Sequence, residues 1–335
     1  MSAKKIVRMR DTGEYGLLEW IRKTMPANVS GLLKGIGDDA AVLRGGELVT
    51  TDMLIEGVHF QKRWHEPFLL GKKALNVNLS DLAAMGGEPR CAFLALAVDP
   101  KTPTEEVEDF LNGFAQVARS NGMAVAGGDL CGSPGPMIIT VTVLGRAERP
   151  VLRSGARAGD ILFVTGNLGD ASLALRFMLK RGDVPGGKNF QELANRLLDP
   201  QARIAIGVKI SQYASAMIDL SDGLATDIYN LCKESNVGAV IELDALPLSN
   251  SYKFIKGRLG EKKGMKFYNE ALFGGEDYEL LFAVPPTVEE NINMMAEVFP
   301  ITKIGYVVES AQGVTLQTSK GIMPLERKGT FLHFK

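Results

Sequence analysis

Cysteine, histidine and tryptophan are scarce in this chain of 335 residues, which has three Cys, three His and two Trp. Cys91, Cys131 and Cys232 lie far apart and form no CxxC pair. Neither a disulfide framework nor a zinc site is indicated, and isolated thiols, buried by default, fit a reducing compartment. No apolar run approaches the roughly 20 residues needed to cross a bilayer. The longest, such as CAFLALAV at 91–98, is strand-sized. The stretch MSAKKIVRMRDTGEYG is basic but has no apolar segment behind it, which argues against a secretory signal. From these absences the expected location is the cytoplasm, with no membrane partner. Excess charge is missing too: 38 Lys and Arg stand against 39 Asp and Glu. There is no general positive field of the kind nucleic acid requires, so a polyanionic ligand needs metal ions, Arg or backbone N–H groups held locally. GxxxxGK[ST] is absent, GIGDDA is not GxGxxG, and no HRD, DFG, Ser/His/Asp or Cys/His order appears.

What is present is ordinary for a globular protein, with 45% hydrophobic and 23% charged residues over a length that allows two cores. Strand–Gly/Asp turn–helix junctions recur in both halves, which suggests two mixed α/β lobes. AERPVLRSGARAGD, 147–160, is rich in small residues, Pro and Gly, and places the boundary between domains 1–150 and 151–335. A helix is expected over 12–25 with Thr12 as N-cap, an amphipathic helix over 104–121, a strand over 137–146 and a loop over 181–191. CAFLALAVDP reads as a buried strand ended by Pro100. In NVNLSDLAAMGG, 76–87, apolar and polar residues alternate up to Asp81, which reads as a strand end followed by a short helical turn that stops at Gly86-Gly87.

The chemistry is carried by acids. Asp38, Asp39, Asp52, Asp81, Asp129, Asp219 and Asp222 each lie near Gly, Ser, Thr or Asn rather than on a mixed Lys/Glu face. They fall where strands end, the usual place for site residues in α/β domains. Converging carboxylates raise one another's pKa unless a cation neutralises them, and Mg²⁺ takes oxygen ligands and bridges phosphates. Each acid alone has a plainer reading: Asp38-Asp39 as a turn pair, Asp222 or Ser221 as a helix cap. GGD at 127–129 (a strand running into a turn), SDG at 221–223 and GGED at 274–277 offer exposed backbone N–H groups to phosphate oxygens. Arg153 is either a phosphate clamp or a surface Arg. His59, beside Val58 and Phe60, reads from spacing alone as a structural His sooner than as a catalytic one.

GIGDDAAVL, TTDMLIEGVHF, NLSDLAAMGG, GGD, RSGARAGD, MIDLSDGL and LFGGEDYELLF, in this order, resemble the thiamine-monophosphate kinase family. That family belongs to the superfamily of aminoimidazole-ribonucleotide synthetase and selenophosphate synthetase, and the resemblance covers nearly the whole chain. It implies an α+β fold of two mixed α/β domains and a homodimer whose N-terminal strands form a barrel across the dimer. It implies phosphorylation of thiamine monophosphate to thiamine diphosphate, the last step of thiamine diphosphate biosynthesis, with ATP as co-substrate and several Mg²⁺. The N-terminal domain would bind metal and ATP and form the dimer, and the C-terminal domain would contribute to the phosphate and substrate site.

By position in those motifs, Asp39, Thr50, Thr51, Asp52, Asp81, Asp129, Asp219 and Asp222 are implied as metal-binding. Gly128, Asp129, Arg153 and Ser221 are implied as ATP contacts, and His59 and Glu276 as thiamine-phosphate contacts. Phe331, where the family often has Trp, is implied as the aromatic contact to a thiamine ring. No adenine contact is assigned within 104–121. No acid or base is implied, because an acceptor phosphate is already ionised and transfer from ATP can be direct and in line. Two other readings stand beside this one. Another ATP-dependent synthetase of the superfamily, making selenophosphate or a purine precursor, is one; selenophosphate synthetases usually carry a reactive Cys or selenocysteine near a Gly-rich N-terminus, and no Cys here is so placed. A non-catalytic nucleotide-binding protein is the other, though a binder has no need of so many close carboxylates.

Overall fold

The computed structural model describes residues 8–27 and 29–327, so Phe331 lies outside the described residues. The first half contains α1 (Met9–Thr24), β1 (Leu32–Lys34), β2 (Ala41–Leu43), β3 (Glu47–Ile55), α2 (Pro67–Ala84), β4 (Glu88–Val98), α3 (Thr104–Ser120), β5 (Ala124–Gly132) and β6 (Ile138–Arg146). Gly13, at φ +67°, kinks α1 one residue past the expected cap at Thr12. The six strands order as β1-β2-β3-β6-β4-β5, antiparallel except for β4 with β5.

Helices α2 and α3 cover one face of this sheet. A Cβ at Gly71 would stand 1.9 Å from Phe110 O, and one at Gly113 would stand 1.9 Å from Phe68 O, so the two helices touch backbone to backbone. Between helices and sheet lie Leu48, Leu75, Leu79, Phe110, Phe114, Ile139, Val141 and Val143. Among the described residues nothing covers the other face. Ala92 and Leu96 of β4 point inward while Phe93 and Ala95 are exposed, so 91–98 is a half-covered strand rather than the buried one expected. Strand β5 is exposed along its whole length, and Cys131 on it is exposed; Cys232 is the one fully buried thiol.

The second half contains β7 (Ile161–Thr165), α4 (Asp170–Arg181), α5 (Lys188–Leu198), α6 (Ile204–Ile210), β8 (Ala216–Asp219), α7 (Leu224–Ser235), β9 (Val237–Glu242), α8 (Asn250–Arg258), α9 (Asn269–Phe273), β10 (Leu280–Val284), α10 (Glu289–Ala296), β11 (Ile301–Glu309), β12 (Val314–Thr318) and β13 (Gly321–Pro324). Its strands order as β13-β12-β9-β11-β7-β10-β8. Helices cover both faces. Leu162 and Val164 of β7 face α4, α5 and α7, while Ile161 and Phe163 face α6 and α10. Helix α5 begins inside the loop expected over 181–191. The signal at Pro185-Gly186-Gly187 marks its entry, and Phe190, Leu193, Ala194 and Leu197 form its buried stripe. Among the described residues no helix is long and apolar enough to cross a membrane.

Helix α2 joins the halves and corrects the reading of residues 76–80. They are helix interior, not a strand end. Asn76, Asn78 and Ser80 are as buried as Leu75, Val77 and Leu79 between them, so the alternation carries no information about facing. Two of the three polar members have partners: Asn78 donates to Ala74 O and accepts from Asp52 N, and Ser80 donates to Asp219, while Asn76 Nδ2 has none among the described residues. Ala83 and Ala84, at the end of α2, pack into the second core beside Ile206 and Ile210. One helix therefore lies on the first sheet and ends against the second, carrying Asp81 to their junction.

Candidate active site

Three elements converge at that junction. Asp39 sits in the loop from β1 to β2, Asp81 on α2 and Asp219 at the end of β8, and each brings one carboxylate oxygen to within 4.8 Å of the others. Thr50 donates to Asp81 Oδ2, and Ser80 donates to Asp219 Oδ2 at 2.6 Å. Asp52, on the same face of β3 as Thr50, adds a fourth acid. Burial pushes Asp81 well above the usual carboxylate range, and the charges of Asp52, Asp219 and Asp39 push it further; the Thr50 hydroxyl opposes them. Asp219 is raised by burial and by Asp39, against the Ser80 bond and the charge of Arg153. Asp52 is raised to about 6 by burial and by Asp222. An acid group this crowded, with oxygen donors only, has the chemistry of a hard-cation site.

Arg153 grips Asp39 with two bonds, Nη2 to Oδ1 at 2.8 Å and Nε to Oδ2 at 3.2 Å, while its backbone N–H donates to Asp38 Oδ1 at 3.0 Å. Burial works against the guanidinium charge, but Asp39, joined by Asp219 and Asp227, outweighs it and holds Arg153 firmly protonated. Arg153 is therefore an ion-paired residue at the edge of the acid cluster, not a surface one.

Two loops close the site from the second half. A Cβ at Gly223 would lie 2.6 Å from Gly274 O, and one at Gly275 would lie 2.4 Å from Ser221 O, so SDG and GGED interlock with no room for side chains at these glycines. Glu276 N–H donates to Ser221 O, and Tyr278 N–H donates to Leu220 O. Both residues are left-handed, at φ +69° and +49°, an arrangement that non-glycine residues hold only under constraint. The three acids of GGEDYE then part company. Glu276 Oε2 accepts from Lys73 at 2.6 Å, Asp277 accepts from Gly169 N–H, and Glu279 is bound by Arg196, Arg203 and Thr165.

A cleft of about 660 Å³ opens in front of the acids. Asp52, Asp81, Asp219, Ser221, Asp222 and Glu276 line one part of it, and Val58, Phe60, Trp64, Leu175, Leu179 and Leu197 the other. His59 lies in this lining; its Nδ1 accepts from Ile55 N–H at 3.0 Å, which leaves the neutral ring with its proton on Nε2. Trp64 is anchored by its Nε1–H to Gly182 O at 3.1 Å, with the Arg63 guanidinium 4.5 Å from the ring centre.

Some expected residues stand apart. The Thr51 hydroxyl donates to Val141 O and contacts Thr142 on the bare face of the sheet, opposite Thr50. Gly128 and Asp129 are not in a turn: GGD lies within β5. By register Asp129 shares a row with Ala95, Thr140 and Met53, again on the bare face.

Other residues went unread in the sequence. Lys73 falls on the α2 face that carries Val77 and Ser80, a spacing visible only once 67–84 is seen as one helix. Asp227 accepts from Asp222 N–H and Gly223 N–H, so it fixes the SDG loop from the first turn of α7. His65 is buried in the cleft wall with neither ring nitrogen hydrogen-bonded among the described residues. Burial, and then the charge of Lys73, lower its pKa to about 3, so it is neutral.

The fold and the acid-lined junction define a class. The N-terminal domain of AIR synthase related proteins matches residues 37–147, and their C-terminal domain matches residues 157–317. A thiamine-monophosphate kinase of Aquifex aeolicus is 38% identical over 332 residues, covering 98% of this chain and 100% of its own. One of Bacillus subtilis is 35% identical, covering 90% and 93%. A solved structure described as AaThiL complexed with AMPPCP and TMP superposes with a TM-score of 0.87 at 36% identity, covering 99% of this chain and all of that one. The chain belongs to the thiamine-monophosphate kinase family.

Proposed function

We propose that this protein transfers the terminal phosphoryl group of ATP to thiamine monophosphate, forming thiamine diphosphate and ADP, with Mg²⁺ held by the acid cluster. The observation that carries the reading is the polarity of one cleft, with crowded carboxylates at one end and apolar and aromatic side chains at the other. That polarity matches a substrate with a phosphate at one end and heteroaromatic rings at the other. The names of the relatives and the ligands of the similar structure agree with it.

The residues fit the metal. Asp39, Asp81 and Asp219, with Asp52 and Asp222 beside them, would hold it, and Thr50 would orient Asp81. Bound Mg²⁺ would neutralise phosphate charge and align donor with acceptor. The acceptor phosphate is ionised at neutral pH, so no side chain has to remove a proton, and the chain's task is positioning and charge. The backbone N–H groups at Ser221–Gly223 would face phosphate oxygens. His59 would offer its Nε2–H, and Glu276 its carboxylate, to the thiamine side. Arg153 would act on phosphate by way of Asp39 or by leaving it. Phe331 remains the proposed ring contact.

Gly128, Asp129 and Thr51 can take part only if something covers the bare sheet face. The proposal places a second copy there, with the N-terminal strands forming a barrel across the dimer. Met53, Phe93, Val125 and Leu130, exposed on or beside that face, favour such a partner. Residues 1–150 would then supply the dimer contact and most metal ligands, and 151–335 would supply the phosphate loops. The cytoplasm is the proposed location.

Incubation with ATP, Mg²⁺ and thiamine monophosphate, followed by mass analysis, tests the reading. Thiamine diphosphate and ADP are expected together, and both should vanish with EDTA. ATP consumption with a different superfamily substrate would keep the metal site and discard thiamine monophosphate. Nucleotide binding without turnover would leave a binding protein.

A further inference from the structure

Lys73 on α2 is completely buried, and its ammonium makes two bonds, to Glu276 Oε2 at 2.6 Å and to Leu197 O at 3.1 Å. Stability gives no reason for a cation there, because a buried ion pair seldom outperforms an apolar pair of similar volume. Among the described residues its one charged partner is the cleft-lining Glu276, whose side chain is 25% exposed. That residue is held in the left-handed region by a loop clamped between Ser221 and Leu220. Left-handed backbone sets where the side chain starts, but a Glu still has free rotation about three side-chain bonds. A single rigid donor inside the core removes that freedom.

We propose that Lys73 is a positioning residue for substrate recognition: it holds the Glu276 carboxylate in one direction on the cleft wall, where it meets the cationic thiazolium of the substrate. The inference rests on the thiamine monophosphate reading above. It assigns the ring-recognising end of the site a support that originates in the first half of the chain, on the same helix that carries Asp81.

The test is steady-state kinetics of Lys73→Met, with each substrate varied in turn. The KM for thiamine monophosphate is expected to rise about tenfold or more, while the KM for ATP stays within about twofold. Glu276→Leu should show the same split. The double variant should be no worse than Glu276→Leu alone, because the two residues act as one unit. An unchanged KM for thiamine monophosphate, an equal rise in both KM values, or an additive double variant would each overturn the proposal. A merely structural Lys73 would lower the melting temperature and leave the KM ratio alone. Should Lys73→Met fail to fold, the comparison of Glu276→Leu with the double variant, in which no charge is left unpaired, still decides it. Wild-type enzyme run in parallel separates the two failures: no thiamine diphosphate from wild type would sink the substrate reading, whereas normal wild-type turnover with an unmoved KM ratio sinks the role of Lys73 alone.

Discussion

Two groups of buried carboxylates in this molecule differ in one respect. In the interior of the second half, Glu279 accepts from Arg196, from Arg203 twice and from Thr165. Nearby, burial alone would raise Glu270, but Lys256 and Arg176 hold it below its usual range. At the junction of the two sheets, Asp219 is as buried and Asp81 is half-buried; both face other acids and are pushed well above the usual range. The paired acids tie helices to strands and are complete as they stand. The crowded acids are unfavourable as they stand and become favourable with a cation, whereas Asp277, raised as well, already has Gly169 N–H and the charge of Arg196 to hold it, so the partner and not the raised acidity separates scaffold from site.

The largest effect should come from the crowded group. Asp81→Asn is expected to lower turnover roughly a thousandfold or more, because it removes the acid shared by both halves. The same change should raise the melting temperature of metal-free protein by relieving repulsion. Near-normal turnover at saturating Mg²⁺ would break the comparison. Glu279→Gln should do the reverse. It leaves Arg196 and Arg203 facing a neutral partner in the core and should cost about 3–5 kcal/mol of stability by denaturant midpoint, with no recovery on adding Mg²⁺. A cost below about 1 kcal/mol would show that the two groups are not distinct in kind.

Acidity sharpens the contrast. Asp52 in the fold is raised to about 6 from an ordinary 3.8. A raised acid stabilises the fold fully below its unfolded value, and that contribution is lost as pH climbs through the folded one. Metal-free protein should therefore melt at lower temperature at pH 7 than at pH 5. Mg²⁺ should flatten the trend by favouring the ionised acids, and Asp52→Asn should reduce it in the metal-free form. A metal-free melting temperature that rises over this interval would contradict the burial of uncompensated charge.

The sequence exposed the acids well because each sits beside small or hydroxyl residues, outside any mixed charged face. Asp39, Asp52, Asp81 and Asp219 could be singled out on that ground, and three of them do meet. What could not be read was how they meet. The α2 helix hid behind the alternation of Asn76 to Ser80, since a helix buried all round has no polar stripe to give it a period. The scaffold acids Asp227, Asp277 and Glu279 stand within a few residues of site acids, and only long-range partners such as Arg203 or Gly169 tell them apart. GGD looked like a turn because two glycines break strand propensity, yet β5 is held as an edge strand by pairing with β4.

Asp38 is the intermediate case and should show the smallest effect. Its side chain is fully buried beside Asp39, and burial followed by that neighbour raises it to about 6. Unlike Asp81 it is partly compensated, by Arg153 N–H on Oδ1 and by Lys34 at 3.4 Å from Oδ2. Asp38→Asn keeps an oxygen acceptor for Arg153 and removes repulsion from Asp39, while Lys34 retains Glu234 at 3.5 Å. Gain and loss should nearly cancel, leaving stability at pH 7 within about 1 kcal/mol of the parent. Turnover should fall far less than in Asp81→Asn, because the loop that presents Asp39 keeps its bond to Arg153. A loss as large as that of Asp81→Asn would move Asp38 from the loop's support into the cation site itself.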